Sequence, residues 1–357
     1  MGLIALINTY KKNEGVTISF NYFHSILKEL AVPARWFQCV IGDKSQYSIS
    51  SFIINGRNFF FDPISKGFNF LFTFPKEASK IESKMVFISD PWLLRIAKLR
   101  SNVVLLFHDF RQFTQFGGHF FERLLFRFLL RYMEKCQIII TPTHYTERLL
   151  IDYGCEKSKV HVIPYFSPML ANRKLHLEKT IVKLKTNKKI NVLYVANDLP
   201  YKNIKFFIEI AKTAMSIDDG NFDFHLVSKL KKTNLKLIKN ERISNLHIHP
   251  YIEDIRVMYE DTDILLFPSQ YEGFGLPILE AMKFGIPIIA NSIEPIREIL
   301  GDNGVLMNSE NPVEWIEALN KIASPEEYTT YSDLSYDRGK FFNKDQFKKL
   351  VSQIFVK

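Results

Sequence analysis

One stretch sets the architecture of this chain: Ser269-Gln-Tyr-Glu-Gly-Phe-Gly-Leu-Pro-Ile-Leu-Glu-Ala-Met-Lys-Phe-Gly285. The apolar run Asp263–Phe267 before it predicts a strand that is buried on both faces of a parallel sheet. Gly273 and Gly275 then allow backbone conformations that bulkier residues resist, and they leave the main chain open to a ligand. The unit is therefore a strand, a glycine turn and a helix, with the helix N-terminus at the carboxyl end of a parallel strand.

Proline and glycine mark both ends of the predicted helix. Pro277 suits the first turn, because its fixed φ is helical and its missing N–H is not needed there. Gly285 suits the C-terminal cap, and Pro287 prevents the helix from continuing. The free N–H groups and the positive end of the helix dipole predict an anion site at this corner, most simply a phosphate site.

Two carboxylates accompany the turn. Glu272 lies within it and Glu280 lies in the first turns of the helix, so that both can face the same crevice. A carboxylate accepts paired hydroxyl hydrogens, which favours a phosphorylated ligand rich in vicinal hydroxyls, such as a nucleotide sugar. Alternatively, Glu272 is a solvated loop residue and Glu280 is a charge favoured by the helix dipole. Spacing alone leaves both interpretations open.

The run from Glu272 to Pro287, Glu-Gly-Phe-Gly-Leu-Pro-x-x-x-Glu-Ala-Met-x-x-Gly-x-Pro, resembles the signature of glycosyltransferase family 4 (glycosyl transferases group 1), retaining enzymes of the GT-B fold. The resemblance implies that Glu280 holds the ribose hydroxyls of a nucleotide and that Glu272 lies near the donor sugar. The turn residues that would face the diphosphate and the sugar are Gly273, Phe274, Gly275 and Leu276.

A candidate cation follows the first strand of the C-terminal half, Asn191–Val195. Lys202 should project over the carboxyl edge of that domain, where a lysine can neutralise a leaving diphosphate. The alternative is a solvated lysine at a helix start. The segment resembles the family's turn before a basic pair, in which Lys202 and Asn203 match. Ala196 replaces the usual glycine, and Tyr201 replaces a common arginine, so more of the neutralisation would fall to Lys202.

The N-terminal half offers two further candidates. His108 ends an apolar strand, and a histidine there can bind a sugar hydroxyl or carry a proton, although a structural role is commoner. Family members often have His-Asp at this point with the histidine facing the donor sugar, which favours His108, while Asp109 either orients it or caps the next segment. Gly15 follows the first strand, where the family places a glycine-rich loop near the phosphate and the acceptor; only this glycine remains here.

Length and alternation predict two α/β domains. A chain of 357 residues with 46% hydrophobic residues exceeds one typical domain. Apolar strands alternate with helical stretches, which favours mostly parallel sheets. A hairpin or two short strands are predicted over 51–62, and a strand over Asn69–Phe74. With the resemblance, we expect a GT-B protein whose two doubly wound, Rossmann-like domains face each other across a cleft. The expected parts are an N-terminal acceptor-side domain (1–170), a polar, lysine-rich linker (171–189) that can include a short helix, a nucleotide-sugar-binding domain (190–324) and a tail (325–357) whose helix packs back on the first domain.

The positive charge is concentrated in the first half. Residues 1–170 contain 21 Lys and Arg against 13 Asp and Glu, whereas the remainder contains 26 against 25. A basic stripe flanked by large apolar residues lies within 119–135, at Arg123, Arg127, Arg131 and Lys135. This composition is typical of a helix at a membrane interface, but a packed helix with its stripe in water fits it equally well. An anionic membrane surface or an acidic acceptor explains the charge excess equally well, and no nucleic-acid motif accompanies it. For the basic stripe, the excess favours membrane contact.

Metal and membrane-spanning signals are weak. Cys39, Cys136 and Cys155 fall in no metal or redox spacing and fit a reducing cytosol. Asp261-Thr-Asp263 imitates a metal-binding motif, yet it begins a buried strand and has no evident third ligand. No apolar run approaches the roughly 20 residues that span a bilayer. We therefore expect a cytoplasmic protein, peripheral on the inner face of the cell membrane, that needs neither metal nor cofactor.

The activity implied by the resemblance is retaining transfer of a hexosyl group, mannose or glucose first, from a nucleotide diphosphosugar to a hydroxyl of a glycan or lipid-linked acceptor. His108, Lys202 and Glu272 would be catalytic, with the departing phosphate taking the acceptor proton on the front face. The alternatives are a nucleotide-sugar epimerase or phosphorylase on the same fold, and a non-catalytic, membrane-associated protein that binds nucleotide sugars.

Overall fold

A computed structural model describes residues 4–8, 15–40, 51–54, 57–59, 74–89, 91–118, 120–217, 220–250, 252 and 254–356. The chain forms two compact units, one of Met1–Tyr165 with Asp345–Lys357 and the other of Phe166–Lys344. The strand predicted over Asn69–Phe74 lies outside the described residues except for Phe74, which begins a helix.

The first unit is built on a mainly parallel sheet. Its strands are β1 (Ile4–Asn8), β2 (Ala34–Val40), β3 (Ser51–Ile54), β4 (Arg57–Phe59), β5 (Met85–Ile88), β6 (Val103–Leu106), β7 (Ile138–Thr141) and β8 (Val160–Val162). They lie in the order β4-β3-β2-β1-β5-β6-β7-β8. β3 and β4 pair antiparallel and form a hairpin within the predicted range 51–62, as far as Phe59. β2 and β3 also pair antiparallel, and the other neighbours are parallel. β5 and β6 are entirely buried, as continuous apolar runs require.

Helices connect these strands. They are α1 (Gly15–Glu29), α2 (Phe74–Ala78), α3 (Arg95–Leu99), α4 (Phe120–Leu130) and α5 (His144–Asp152). The buried face of α4, with Phe126, Leu129 and Leu130, packs into the core of this unit.

The second unit has a fully parallel six-stranded sheet. Its strands are β9 (Ile190–Val195), β10 (Phe222–Val227), β11 (Leu246–His249), β12 (Ile264–Phe267), β13 (Ile288–Asn291) and β14 (Val305–Met307). The order is β11-β10-β9-β12-β13-β14. After β9, the chain adds β10 and β11 on one side of it. The chain then crosses back and adds β12, β13 and β14 on the other side. The strand order reverses between β9 and β12, which pair directly.

The helices of this unit and the tail complete the chain. They are α6 (Arg173–Lys185), α7 (Ile204–Ile217), α8 (Lys232–Glu241), α9 (Arg256–Asp261), α10 (Leu276–Phe284), α11 (Glu294–Leu300), α12 (Pro312–Ile322), α13 (Pro325–Gly339) and α14 (Lys344–Phe355). α14 packs on the first unit, where Phe347 lies 4.8 Å from Phe23 and Phe355 lies 5.4 Å from Phe87, between ring centroids. No helix in the described ranges is both long and apolar enough to cross a membrane.

The stretch 171–189, predicted as a linker that can include a short helix, carries the 13-residue helix α6 and belongs to the second unit. Its polar composition has a structural reason, because the buried face of α6 makes hydrogen bonds. His176 Nε2 lies 2.7 Å from the Thr262 carbonyl oxygen, and Thr180 donates to Asp263 at 2.7 Å. Lys183 forms an ion pair with the same carboxylate at 2.8 Å. A helix held by polar contacts lacks the apolar stripe by which helices are recognised in sequence.

Candidate active site

The glycine turn joins β12 to α10 in the arrangement expected from the sequence. Gly275 immediately precedes the helix with φ of +112°, which L side chains rarely adopt, and an added Cβ would lie 3.0 Å from Ile296 Cδ1. It has no side chain to cap the helix. Pro277 has no N–H and the Ile278 amide donates to the Gly275 carbonyl oxygen at 3.0 Å, so Leu276 offers the first amide of α10 to a ligand, and the positive end of the helix dipole lies with it.

Lys202 and Glu272 meet although 70 residues separate them. Lys202 Nζ lies 2.6 Å from Glu272 Oε1, and the side chains are only 16% and 8% exposed. The two alternatives, a solvated lysine and a solvated loop glutamate, therefore do not hold. Lys202 follows β9 and Glu272 follows β12, so the ion pair stands where the strand order reverses. Ligands of open α/β sheets bind at the carboxyl ends of the strands at such a position.

A buried tyrosine ties together the two segments that carry this pair. Tyr194, on β9, is fully buried, and its hydroxyl lies 2.5 Å from the Lys202 carbonyl oxygen and 2.8 Å from Ser269 Oγ. A hydroxyl has one hydrogen, so it donates to the carbonyl and accepts from the serine. Burial raises the pKa of Tyr194 well above its usual value, which keeps the hydroxyl protonated. The Gln270 amide adds a second link, to the Tyr201 carbonyl at 2.8 Å.

Tyr201 occupies the place where the family often has arginine. Its ring centroid lies 5.5 Å from Lys202 Nζ, within the range of a cation–π contact, and 6.1 Å from the ring centroid of Tyr271. Asn203, the next residue after Lys202, has a left-handed backbone with φ of +52°. The Tyr201 ring therefore borders the ion pair, and the short turn ends in the left-handed conformation, which asparagine adopts more readily than most residues.

Glu280 lies on α10, and its partner was missed in the sequence. The Tyr259 hydroxyl donates to Glu280 Oε2 at 2.6 Å. Burial raises the pKa of Glu280, and this hydrogen bond opposes the rise. Tyr259 lies on α9, a six-residue helix with mostly polar neighbours, Arg-Val-Met-Tyr-Glu-Asp. No periodic pattern distinguishes so short a helix, so it cannot be recognised from the sequence.

His108 lies in the first unit, after β6. Its Nδ1 atom is 2.9 Å from the Tyr165 hydroxyl, and its buried Nε2 makes no well-formed hydrogen bond to a described residue. Burial lowers the pKa of His108 to about 4, against a smaller effect of the Ser89 backbone, so the ring is neutral at pH 7. Asp109 accepts a hydrogen bond from the Arg111 amide at 2.8 Å and thus caps the next segment.

The candidate residues are therefore distributed over both units. Lys202, Asn203, Glu272, the turn and Glu280 lie in the second unit, whereas His108 and Gly15 lie in the first. Gly15 is the first residue of α1.

Asp263, half of the imitated metal motif, serves the fold. Its Oδ2 accepts the Asn191 amide at 2.8 Å, in addition to the contacts from Thr180 and Lys183. Within the described part of the chain, no three His, Cys, Asp or Glu side chains are grouped so as to hold a metal ion.

The fold and this site define a protein of the GT-B glycosyltransferase class. The model of glycosyl transferases group 1 matches residues 178–335, and that of Glycosyltransferase Family 4 matches residues 48–166. The chain belongs to glycosyltransferase family 4, among the group 1 glycosyl transferases.

Two curated relatives and one solved structure illustrate the similarity. An uncharacterized 41.2 kDa protein in the cps region of Klebsiella pneumoniae is 26% identical over 51% of each chain. The O-antigen chain mannosyltransferase RfbU of Salmonella typhimurium is 26% identical over 63% of this chain and 62% of its own length. The chain thus spans about half to three fifths of these relatives. The sucrose-phosphate synthase of Thermosynechococcus elongatus shares the fold, with a TM-score of 0.76, 17% identity and coverage of 99% of this chain and 98% of its own.

Proposed function

We propose that this chain is a retaining hexosyltransferase that transfers a sugar from a nucleotide diphosphosugar to a hydroxyl of a glycan or lipid-linked acceptor. The observation that carries the proposal is the Lys202–Glu272 ion pair, 2.6 Å long, beside a glycine turn and an uncapped helix N-terminus at the reversal of strand order. A cation, backbone amides and a carboxylate at one sheet edge are suited to a ligand with both phosphate and hydroxyl groups.

The diphosphate would bind to the amides of the turn residues Phe274, Gly275 and Leu276, with Gly273 leaving the approach open. Lys202 would then exchange its contact with Glu272 for the phosphate nearest the sugar, and Asn203 would stand beside it. Glu272, released from the lysine, would be free to accept hydrogen bonds from hydroxyls of the donor sugar. Glu280 would accept the ribose hydroxyls. The protein's contribution is thus mainly orientation and placement of charge.

In the transfer itself, the bond between the anomeric carbon and the phosphate oxygen breaks while a bond from the acceptor oxygen forms on the same face. The acceptor proton passes to the departing phosphate, whose negative charge Lys202 and the turn amides stabilise. His108 is neutral at pH 7 and would act as a hydrogen-bond partner of a sugar hydroxyl. Gly15 would lie toward the acceptor. We propose that neither a metal nor a cofactor is needed, because Lys202 and the helix N-terminus supply the positive charge.

The sugar proposed first is mannose. RfbU is named as an O-antigen chain mannosyltransferase, and a second relative, 42% identical over 66 residues, is the O-antigen chain mannosyltransferase B of Escherichia coli. These names favour a role in polysaccharide biosynthesis. GDP-mannose is therefore the first donor to test and UDP-glucose the second.

The test combines binding with turnover. Thermal shifts are measured with GDP, UDP, GDP-mannose and UDP-glucose for the wild type, Glu280→Ala and Lys202→Ala. Glu317→Ala and Lys205→Ala, at exposed positions of the same unit, are the matched controls. A ligand at 100 times its dissociation constant should add about 2.7 kcal/mol to the free energy of unfolding.

We expect one nucleotide family to stabilise the wild type and both controls but not Glu280→Ala, and radiolabelled sugar to reach an acceptor fraction with retained anomeric configuration. Binding without any transfer would favour the non-catalytic alternative, whereas conversion of the donor without an acceptor would favour an epimerase or a phosphorylase. The absence of any nucleotide response would contradict the proposal.

We also propose that the protein works on the cytoplasmic side of the cell membrane, held at its anionic surface by α4. This helix buries one face but leaves Phe120 and Phe121 exposed by 73% and 79%, and Leu124 by 55%. Arg127 lies on α4, and Arg131 and Lys135 follow its last residue, Leu130; all three are exposed. Exposed basic and large apolar residues together are typical of an interfacial helix. Arg123 contributes less, because its guanidinium bonds to the carbonyl oxygens of Gly118 and Thr114.

Sedimentation with vesicles tests this attachment. The wild type should bind vesicles that contain phosphatidylglycerol and should bind pure phosphatidylcholine weakly. Arg127→Gln/Arg131→Gln should reduce binding, while the control Lys232→Gln/Lys236→Gln, two exposed lysines one turn apart on α8, should not. Equal binding of both double variants would show that net charge, not α4, determines attachment. No binding of the wild type to either vesicle would contradict the proposal.

A further inference from the structure

Tyr259 donates a hydrogen bond to Glu280, the carboxylate that the proposed function assigns to the nucleotide. We propose that Tyr259 is a positioning residue that holds Glu280 in the orientation needed to bind the two ribose hydroxyls of the donor. The proposal rests on the proposed function, because it gives a role to a residue that acts on the same site. Tyr259 itself is not expected to touch the nucleotide.

Packing holds the Tyr259 ring in place, and the ring in turn positions Glu280 through its hydroxyl. Tyr259 is fully buried, and its ring lies parallel to that of Phe284, with centroids 6.0 Å apart and planes inclined by 15°. Tyr259 belongs to α9, whereas Phe284 and Glu280 belong to α10. This packing restricts the position of the hydroxyl, which donates to Glu280 Oε2 at 2.6 Å. The bond therefore restricts the glutamate side chain, whose rotamers would otherwise have to be ordered when the ligand binds.

The remaining hydrogen-bonding capacity of Glu280 matches a ribose. A carboxylate offers about four lone-pair sites on two oxygens, and Tyr259 uses one of those on Oε2. Both sites of Oε1 and one of Oε2 remain, which is enough for two vicinal hydroxyls. Binding those hydroxyls requires the ionised form, which only accepts hydrogen bonds. The phenol supports that form, because its hydrogen bond opposes the effect of burial on the pKa of Glu280.

The experiment measures the dissociation constants of GDP and UDP by calorimetry for the wild type, Tyr259→Phe, Glu280→Ala and the double variant. Phenylalanine keeps the buried ring and removes only the hydroxyl. The matched control is Tyr328→Phe, at another fully buried tyrosine of the same unit, which lies near Asp263. Thermal denaturation of each variant without ligand reports whether it is folded.

For the nucleotide that the wild type prefers, we expect Tyr259→Phe to weaken binding about tenfold, since a hydrogen bond to a charged group is lost. In the Glu280→Ala background the same change should have no further effect on binding, because the residue through which Tyr259 acts is gone. Tyr328→Phe should bind like the wild type. With a saturating acceptor, Tyr259→Phe should raise the KM for the nucleotide sugar and leave kcat within about twofold, which general loosening of the fold would not produce.

The outcomes separate the two proposals. If the wild type binds neither nucleotide, the proposed function fails before Tyr259 is tested. If Glu280→Ala loses binding but Tyr259→Phe binds like the wild type, the proposed function stands and the positioning role is wrong. The positioning role is also wrong if Tyr259→Phe weakens binding equally in the presence and absence of Glu280. If Tyr259→Phe does not fold, 2′-deoxy-UDP or 2′-deoxy-GDP on the wild type decides whether a ribose hydroxyl is bound; a deoxy ligand that binds as tightly as its parent would overturn the inference.

Discussion

Replacing Lys202 by methionine separates the structural role of its ion pair from the proposed catalytic role. The change keeps most of the side-chain volume and removes the charge. It leaves the Glu272 carboxylate, 8% exposed, without its partner at 2.6 Å. Breaking a buried ion pair from one side costs about 3–5 kcal/mol, because the remaining charge is desolvated and uncompensated. In a unit of this size, about 3 kcal/mol corresponds to a fall in Tm of about 10 °C.

The double variant Lys202→Met/Glu272→Gln provides the decisive comparison. It removes the stranded charge, so most of the lost stability should return. Activity should not return, since removal of a group that stabilises transition-state charge typically costs about 10²–10³ in kcat. Stability is measured by urea unfolding, and activity by the rate of sugar transfer from the donor identified in the binding screen. Lys205→Met, an exposed lysine three residues further on, should match the wild type in both assays.

Two results would refute this reasoning. If Lys202→Met unfolds at the same urea concentration as the wild type, the pair is not desolvated enough to matter to the fold. If the double variant regains both stability and activity, Lys202 acts only by neutralising Glu272, and the leaving diphosphate is stabilised by other groups.

Three further predictions concern single positions. Gly275→Ala should cost about 1–3 kcal/mol of unfolding free energy through its positive φ and should abolish nucleotide binding in calorimetry. Gly154 also has a positive φ, +105°, but open space surrounds it, so Gly154→Ala should lower urea stability and leave nucleotide binding unchanged. Tyr194→Phe should destabilise by about 1–3 kcal/mol and lower kcat, and a double-mutant cycle with Ser269→Ala should be non-additive; additive effects would show that their hydrogen bond is unimportant. Burial lowers the pKa of His108 to about 4, whereas an unfolded histidine takes up its proton near pH 6.5. As the pH falls from 6.5 toward 4, protonation therefore stabilises the unfolded state, and about 3 kcal/mol of stability present above pH 6.5 should be lost. His108→Gln should lose correspondingly less over that interval, and an unchanged pH dependence of unfolding would show that the ring is not buried in its neutral form.

The sequence predicts best where hydrophobicity and end signals agree. Proline in the first turn and Asn311 before it mark the start of α12, where the asparagine side chain accepts a hydrogen bond from the Val313 amide. The glycine turn is similarly definite, since the φ of Gly275 admits few other residues. In both places the local chemistry determines the backbone without help from distant parts of the chain.

Elements held by polar contacts are much harder to predict. The polar composition of α6 predicts a linker, because a helix whose buried side makes hydrogen bonds shows no apolar stripe. Those bonds go to Asp263 and to a carbonyl oxygen. α9 and its Tyr259 were missed for a related reason. The proposed role of Tyr259 depends on Glu280, 21 residues later, and their hydrogen bond forms because α9 packs against α10.

The pairing of Lys202 with Glu272 shows what topology adds to composition. Each residue was recognised separately, as a side chain that follows a strand and lies at the carboxyl edge of the sheet. Whether the two could meet depended on the strand order, because β10 and β11 intervene in the chain but lie on the far side of β9. Since β9 pairs directly with β12, the segments after these strands are neighbours, and the Tyr194 hydroxyl bonds to both. Inserting either intervening strand between β9 and β12 would separate the charges by at least one strand spacing of about 4.8 Å. The direct contact is therefore a consequence of the reversal in strand order, and the same reversal creates the crevice in which the donor is proposed to bind.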